Sequence, residues 1–519
     1  MVTRIGTFAT QQALIQRMLE VQKRVFDGQT QVGTEKKSQD YAGIAFDSFR
    51  LVNIENEKSR IDRFINNNTS AETTLKAMNA SVKSIDDIMR NLRQELIGFT
   101  GRDLTDQSPQ DVTAVRNIQE LAFSALNDME FFLNLKIDGK YVFGGGKTND
   151  VPVSIPFDNV QEFQKVYDGV KVTYPTTRAA QLVNARFDGV AVTGYTNLTY
   201  GTPPTDVTQV DAAANAFVTA TADTSSFGGL TYANDPSGKG AITSTVPGAF
   251  ANLELGQTFM LDQSSGNNGV YTITAISGDG RTITLDQGLS VGSDAAGGPQ
   301  VMRFVPPNGT TIYIGGSANN NNGAYTVRWP TNAELGAAPF GAAVFDGSRL
   351  FLSGQVTNTT PETVNFETRP YYQGDRLETE HRVSETRTIK FGVNGLDPAF
   401  EKAIRAVGRL LQGDLLNNQQ RAVEALGLLN DAIEHSPSSG ELPSDLQGVQ
   451  NRLGINQKVI ADAKDEQKQF IAFLEVRQIE VENVDPTEAA VKLNDDIRAL
   501  NISFATLSRV QRLSLVDYL

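Results

Sequence analysis

Cysteine is absent from this chain and histidine occurs only twice, at His381 and His435. Without thiols there can be no disulfide, thiolate nucleophile, cysteine-based zinc site or iron–sulfur cluster. The two histidines are far apart and form no His-Glu-x-x-His pattern, so zinc-peptidase chemistry lacks its ligands. Positive charge is also in short supply: 46 Lys and Arg against 60 Asp and Glu give a net charge of -14. Such a balance repels phosphate backbones and anionic lipid headgroups, and no nucleic-acid partner is expected. No run of eighteen apolar residues occurs, and Met1 to Val25 has neither a signal-peptide apolar region nor a small-residue cleavage site. Neither membrane insertion nor Sec export is expected. What remains is a 519-residue chain, long enough for about three units that each bury a core. Its apolar content of 39% falls in the ordinary globular range once glycine is counted.

Glycine and proline are scarce at the two ends and frequent between them. Residues 1–140 hold seven Gly and one Pro, residues 391–519 hold eight and four, and the intervening 250 residues hold thirty and fourteen. In the first part the apolar positions step by three and four. Leu51, Ile54, Ile61 and Ile65 begin a stripe, interrupted by Lys58, Asn68 and Glu72, that resumes with Leu75, Met78, Val82, Ile85, Met89, Leu92 and Leu96. The spacing predicts one long helix over 51–96, ended by Gly98 and Gly101. Ser108, Pro109 and Asp111 then start a second helix, and the two are expected to form an antiparallel hairpin of rods. The C-terminal part follows the same grammar. Asp397-Pro398 opens a helix with Phe400, Ile404, Val407 and Leu411 on one face. A longer stripe runs through Leu446, Val449, Leu453, Asn456, Ile460, Ala463, Gln467, Phe470, Leu474 and Val481. Asp485, Pro486 and Glu488 start the last helix. The expected stem core is thus Leu51, Ile54, Ile61, Ile65, Leu75, Met78, Val82, Ile85, Met89 and Leu92 with Ile460, Phe470 and Leu474.

Residues 141–390 read as β-structure, because Asp168-Gly169, Asp188-Gly189, Asn268-Gly269, Asp279-Gly280, Asn322-Gly323 and Asp346-Gly347 separate short runs rich in Val, Ile, Thr, Tyr and Phe. The clearest hairpin joins Val270–Ile276 to Thr282–Leu285 across Asp279-Gly280. Residues 256–273 resemble residues 309–327 with one insertion, which leaves a duplicated β-unit and a chance recurrence of turn residues as even alternatives. The fold class expected is α+β and multidomain: a discontinuous coiled-coil stem of long N- and C-terminal helices carrying an inserted, mainly antiparallel β-region.

Few residues suggest chemistry. Gly144-Gly145-Gly146-Lys147-Thr148 could be a phosphate loop, but the position five before its Gly-Lys-Thr triplet is Tyr141 rather than glycine, and Pro152 argues against the helix that should follow. A glycine-rich turn at the rod-to-β junction is the better reading. Acidic residues are abundant, but nothing marks a particular pair for glycoside hydrolysis. Lys58, Asn68, Glu72, Asn456 and Gln467 on the apolar stripes either fix helix register or mark faces covered by other subunits. No catalytic, cofactor or metal site is expected, and the chain does not read as an enzyme.

Several segments together resemble a known family. They are Val484-Asp485-Pro486-Thr487-Glu488-Ala489-Ala490, Lys492-Leu493-Asn494, Ala505-Thr506-Leu507-Ser508-Arg509-Val510 and the closing Leu513-Ser514-Leu515-Val516-Asp517-Tyr518-Leu519. Asp40-Tyr41-Ala42-Gly43-Ile44-Ala45, Tyr141-Val142-Phe143-Gly144-Gly145-Gly146-Lys147-Thr148, Tyr372-Gln373-Gly374-Asp375 and Asp397-Pro398-Ala399-Phe400 add to them. Over about the first and last 150 residues the chain resembles the flagellin superfamily, and within it most the flagellar hook-filament junction proteins, also called third hook-associated proteins. The variable middle is not covered, and a filament flagellin of the same fold remains the alternative.

The resemblance implies a non-enzymatic axial component of the bacterial flagellum, extracellular, exported unfolded through the organelle's own channel. Its partners would be copies of itself in a ring or helical oligomer, a hook-side junction protein, flagellin and an export chaperone. Residues 1–45 would be an N-terminal assembly segment, mobile in the monomer; 46–140 a helical rod pair; 141–390 the β-rich outer region; 391–489 a C-terminal rod; and 490–519 an assembly helix. The apolar positions expected to meet neighbouring subunits are Ile5, Phe8, Leu14, Ile15 and Met18 together with Leu493, Ile497, Leu500, Phe504, Leu507, Val510, Leu513, Leu515 and Leu519. A less favoured reading gives the β-insert an adhesive or hydrolytic role.

Overall fold

A computed structural model describes residues 2–44, 46–184, 186–192, 198–199, 206–211, 220–223, 230–251, 253, 255–262, 267, 269–289, 301–318, 320–328, 349–353 and 362–516. The fold is α+β, with long helices and several antiparallel sheets. The chain divides into two compact units: Met1–Thr73, Arg382–Thr388 and Gln457–Leu519 form the first, and Thr74–His381 and Ile389–Asn456 the second. Of the four points where the chain passes from one unit to the other, those after Thr73 and Asn456 fall inside continuous helices, whose apolar stripes run on there without a glycine or proline to stop them, and the other two fall inside the strands Glu380–Arg382 and Thr388–Lys390.

The first unit is helical. Helix α1 spans Val2–Thr34, α2 begins at Ser48 and continues to Thr100, α8 (Leu446–Glu482) contributes its later turns, and α9 spans Pro486–Val516. Leu51, Ile54 and Ile61 of α2 share one buried cluster with Leu474 and Val481 of α8, and Ile65 and Ile471 pack against it. Phe470, expected in this core, is instead 44% exposed and stacks on Phe473 at 6.0 Å. Both 470 and 471 fit a three-four step between Gln467 and Leu474; the four-three choice through Ile471 keeps the stripe on the packed face.

In the second unit, α3 (Pro109–Leu133) starts with a reciprocal capping box. The Ser108 hydroxyl accepts from the Asp111 N–H at 3.3 Å, and the Asp111 carboxylate accepts from the Ser108 N–H at 2.9 Å. Short helices follow at Val160–Val166 (α4) and Arg178–Leu182 (α5). Residues 391–489, expected to hold a helix opening at Asp397-Pro398 and then a longer rod from Leu446, contain α6 (Pro398–Leu411), α7 (Gln420–Ile433) and then α8. Gly413 and the stretch Pro437, Gly440, Pro443 break the run, and Gly440 takes φ +74. Helix α6 packs against α3, α4, α5 and α7.

The β-region of this unit is antiparallel throughout. Its largest sheet places strands 220–223, 301–305, 258–262, 269–276, 282–285, 240–244 and 230–234 side by side. Its core includes Ile242, Phe250, Phe259, Leu261, Tyr271, Ile273, Ile283 and Leu285. Strand 269–276 does pair with 282–285 across Asp279-Gly280, with Gly280 at φ +64. Asp188-Gly189, expected as a turn, lies within strand 186–192. There the register against strand 362–367 shifts, so two residues oppose one, and the glycine accommodates a bulge.

The two similar segments fold alike. In the first hairpin Phe259 pairs with Tyr271 and Thr258 with Thr272; in the second Ile312 pairs with Tyr325 and Thr311 with Thr326. Gly256 and Gly309 take φ +80 and +83 at the open ends, where their N–H groups donate to Ile273 and Val327 at 2.8 Å. The Tyr271 hydroxyl donates to the Asn267 carbonyl at 2.9 Å, and the Tyr325 hydroxyl to the Asn321 carbonyl at 3.1 Å. Register and side-chain bonding thus agree between the two hairpins as well as turn residues.

Candidate assembly surface

Helices α1 and α9 lie antiparallel. Arg24 pairs with Asp496 at 3.0 Å, and Gly28 faces Leu493 so closely that a Cβ would sit 3.3 Å from its Cδ1. Past the end of α1, Lys36 bridges to Asn483 and the Val484 N–H donates to the Glu35 carbonyl at 2.9 Å. Burial in this pair is sparse: Val21 and Val25 on α1 and Ala489 on α9. Of the side chains expected to meet neighbours, Leu14, Met18, Leu493, Ile497, Leu500 and Leu507 are half-buried, while Ile15 and Phe504 are exposed. Ile5 and Phe8 lie in α1 and Val510, Leu513 and Leu515 in α9, with side chains outside the described residues; Leu519 lies wholly outside them.

Leu19, Phe26, Val491 and Ile502 are also exposed, Phe26 at 68% and Ile502 at 66%. The sequence carried a signal for the first two, since Ile15, Leu19 and Phe26 step by four and seven, a second stripe beside the one chosen. Phe46 and Phe49, near the start of α2, are likewise bare.

The polar interruptions of the apolar stripes are paired within the chain. Lys58 reaches Glu475 at 2.6 Å, Asn68 donates to the Val383 carbonyl at 3.0 Å and to Gln467 at 3.1 Å, and Lys464 meets Glu72 at 2.7 Å. These pairs run in opposite directions along α2 and α8, and so fix an antiparallel register. In the second unit Asn456 donates to the Lys390 carbonyl at 2.8 Å. Leu75, Met78, Val82, Ile85, Met89 and Leu92 are fully buried there, as is Ile460 in the first unit.

Two motifs more than 200 residues apart meet in the second unit. The Gly146 N–H donates to the Asp375 carboxylate at 2.7 Å, the Asp375 N–H to the Gly144 carbonyl at 3.2 Å, and Lys147 Nζ to the Gln373 carbonyl at 3.3 Å. Gly145 takes φ +67, and a Cβ there would lie 2.7 Å from the Asp375 carbonyl oxygen. Burial, with Asp375 nearby, pushes the Tyr372 hydroxyl up, so it stays protonated and donates to the Phe143 and Asp375 carbonyls. The glycine-rich loop is therefore filled by an internal carboxylate where a phosphate would sit.

His435 is bonded through Nδ1 to Asp431 at 3.0 Å, and His381 packs its ring on Phe391 at 5.6 Å. Among the described residues no three His, Asp or Glu side chains converge as a metal site, and no helix is long and apolar enough to cross a membrane.

Solved structures to which the chain is similar include flagellar junction proteins. The flagellar junction protein FlgL from Legionella pneumophila shows 13% identity and a TM-score of 0.23, covering 81% of this chain and 99% of its own. FlgL from Xanthomonas campestris shows 12% identity and a TM-score of 0.23, covering 82% and 99%. The Legionella pneumophila flagellar hook associated protein-3 shows 13% identity and a TM-score of 0.19, covering 89% and 98%. No protein-family model and no curated protein matches this chain.

Proposed function

We propose that the chain is a structural, non-enzymatic axial component of the bacterial flagellum, joining hook-side proteins to the filament. The observation that carries this reading is the bare apolar surface of the paired terminal helices, with Leu19, Phe26, Ile502 and Phe504 between 47% and 68% exposed. These are the same chain ends whose motifs resemble junction proteins. Exposed apolar area of this kind is stabilised only against another protein surface. Copies of the chain would stack as a ring or helical oligomer between a hook-side junction protein and flagellin. An export chaperone would cover the ends before assembly. Contacts with neighbours would offset the ordering entropy of residues 1–45 and 490–519, which would otherwise stay mobile. Export through the flagellar channel would leave the protein extracellular.

Immunogold labelling of the protein on intact flagella tests this reading. Label confined to the hook–filament boundary is the expected result. Label spread along the whole filament would replace the junction role with that of a flagellin. Deleting residues 490–519 should abolish incorporation while the second unit stays folded; normal incorporation would remove the terminal helices from the assembly surface.

A further inference from the structure

We propose that the cleft between residues 165–172 and the second hairpin binds a carboxylated saccharide, a property independent of the axial role. The cleft has a volume of about 600 Å³, within the range of about 300–1,000 Å³ common for small-ligand sites. Lys165, Lys171 and Arg369 converge on it, although the chain as a whole carries a charge of -14. Asp168 also lines it, with its Oδ1 accepting the N–H groups of Val170, Lys171 and Val172 at 2.8–2.9 Å, so that three cations face one carboxylate on the cleft wall.

Two of the cations retain donors for a ligand. Lys165 is exposed and makes no hydrogen bond or ion pair among the described residues. Arg369 directs Nε and Nη2 to Glu367 at 2.8 and 2.6 Å, leaving Nη1, and its guanidinium lies 4.3 Å from the Tyr313 ring centroid. That stacking, with the Tyr313 hydroxyl 3.3 Å from the Tyr167 hydroxyl, fixes the plane of both groups. On another wall Asn322 has its amide bonded to Ser317, Oδ1 accepting from the Ser317 N–H at 2.9 Å and Nδ2 donating to the Ser317 carbonyl at 3.2 Å, which leaves the second Nδ2 hydrogen for a ligand, and Tyr325 supplies an aromatic ring.

Charge-assisted hydrogen bonds from lysine and arginine suit a carboxylate. Amide and hydroxyl groups suit sugar hydroxyls, and aromatic rings accept the apolar face of a pyranose. An extended polyanion such as nucleic acid would be repelled by the rest of the surface. The likeness of the two hairpins provides an internal control: Met260 stands in the first hairpin where Tyr313 stands in the second. The hairpin fold does not itself call for the aromatic residue.

Calorimetric titration of the full chain with trigalacturonate, against an uncharged trisaccharide of the same length, tests the proposal. Binding of trigalacturonate alone is expected, weakening as salt rises. Lys165→Glu should weaken it about tenfold or more, whereas Lys165→Arg should keep it. Because Lys165 is exposed and unpaired among the described residues, neither change should disturb folding. Absence of binding, equal binding of the uncharged sugar, indifference to Lys165→Glu, or equally tight binding of a triglutamate peptide would each overturn it.

Discussion

Helix α6 and the terminal pair α1 and α9 are both amphipathic, yet they end in opposite states. Twelve of the fourteen residues of α6 are buried, including Glu401, Lys402 and Arg405, and every charge among them has a partner. On α1 and α9 only Val21, Val25 and Ala489 are buried among the described side chains, and large apolar residues face outward. Burial by the chain itself is nearly complete for one helix and sparse for the others. The packed core therefore concentrates around α6, while the terminal helices leave large apolar side chains exposed.

The largest test of that contrast is the ion pair beneath α6. Lys402 is fully buried and its Nζ donates to the Asp431 carboxylate at 2.6 Å and to the Asp431 and Leu442 carbonyls at 3.0 and 3.2 Å. Desolvation pushes the Asp431 carboxyl up, but the bonds from Lys402 and the Ser436 N–H outweigh it and hold the group below its ordinary range. Lys402→Met leaves that carboxylate without its cation and should cost about 3–5 kcal/mol. Adding Asp431→Leu should recover much of the loss in denaturant unfolding. A double variant as unstable as the single one would mean that side-chain shape, not charge, holds α6 in place.

A smaller effect is expected where the glycine-rich loop crosses Asp375. Gly145→Ala combines φ +67 with a close approach to the Asp375 carbonyl and should destabilise the second unit by about 1–3 kcal/mol. Gly98, in α2 with nothing within 4 Å of its missing Cβ, is the control: Gly98→Ala should stabilise by about 0.5–1 kcal/mol. Thermal unfolding of the two variants separates a loop that requires glycine from a helix that merely contains one.

How much of this was legible in the sequence depends on what each feature is made of. The α2 stripe, the Ser108 capping box and the Asp279-Gly280 hairpin are local, and spacing alone placed them. Phe470 and Ile471 show the limit of periodicity, since a heptad leaves either step open until a partner helix chooses. Burial of Lys402 and Glu401 was invisible because a charged residue on a helix reads as solvent-facing: the Glu401–Arg405 pair at i, i+4 looks like an ordinary surface pair, and the partner of Lys402, Asp431, comes from another element. The meeting of Gly144–Gly146 with Asp375 was equally hidden, although each motif is recognisable by itself, because separation along the chain carries no distance. On the terminal helices periodicity marks the apolar positions, Leu19 and Phe26 on a second line among them, but it does not say which of them the chain itself covers.

That second line gives the smallest effect on stability and the clearest on assembly. Leu19 and Phe26 are 54% and 68% exposed, so replacing them with serine removes little that the isolated chain buries. Leu19→Ser with Phe26→Ser should change the unfolding free energy of the monomer by no more than about 0.5 kcal/mol per site. If copies or partner subunits cover these side chains, each position loses roughly 1.5–3 kcal/mol of burial in the assembled state, and self-association measured by sedimentation should weaken at least tenfold. A variant that loses stability without losing association would show that α1 is finished within the chain after all, and would erase the distinction between it and α6.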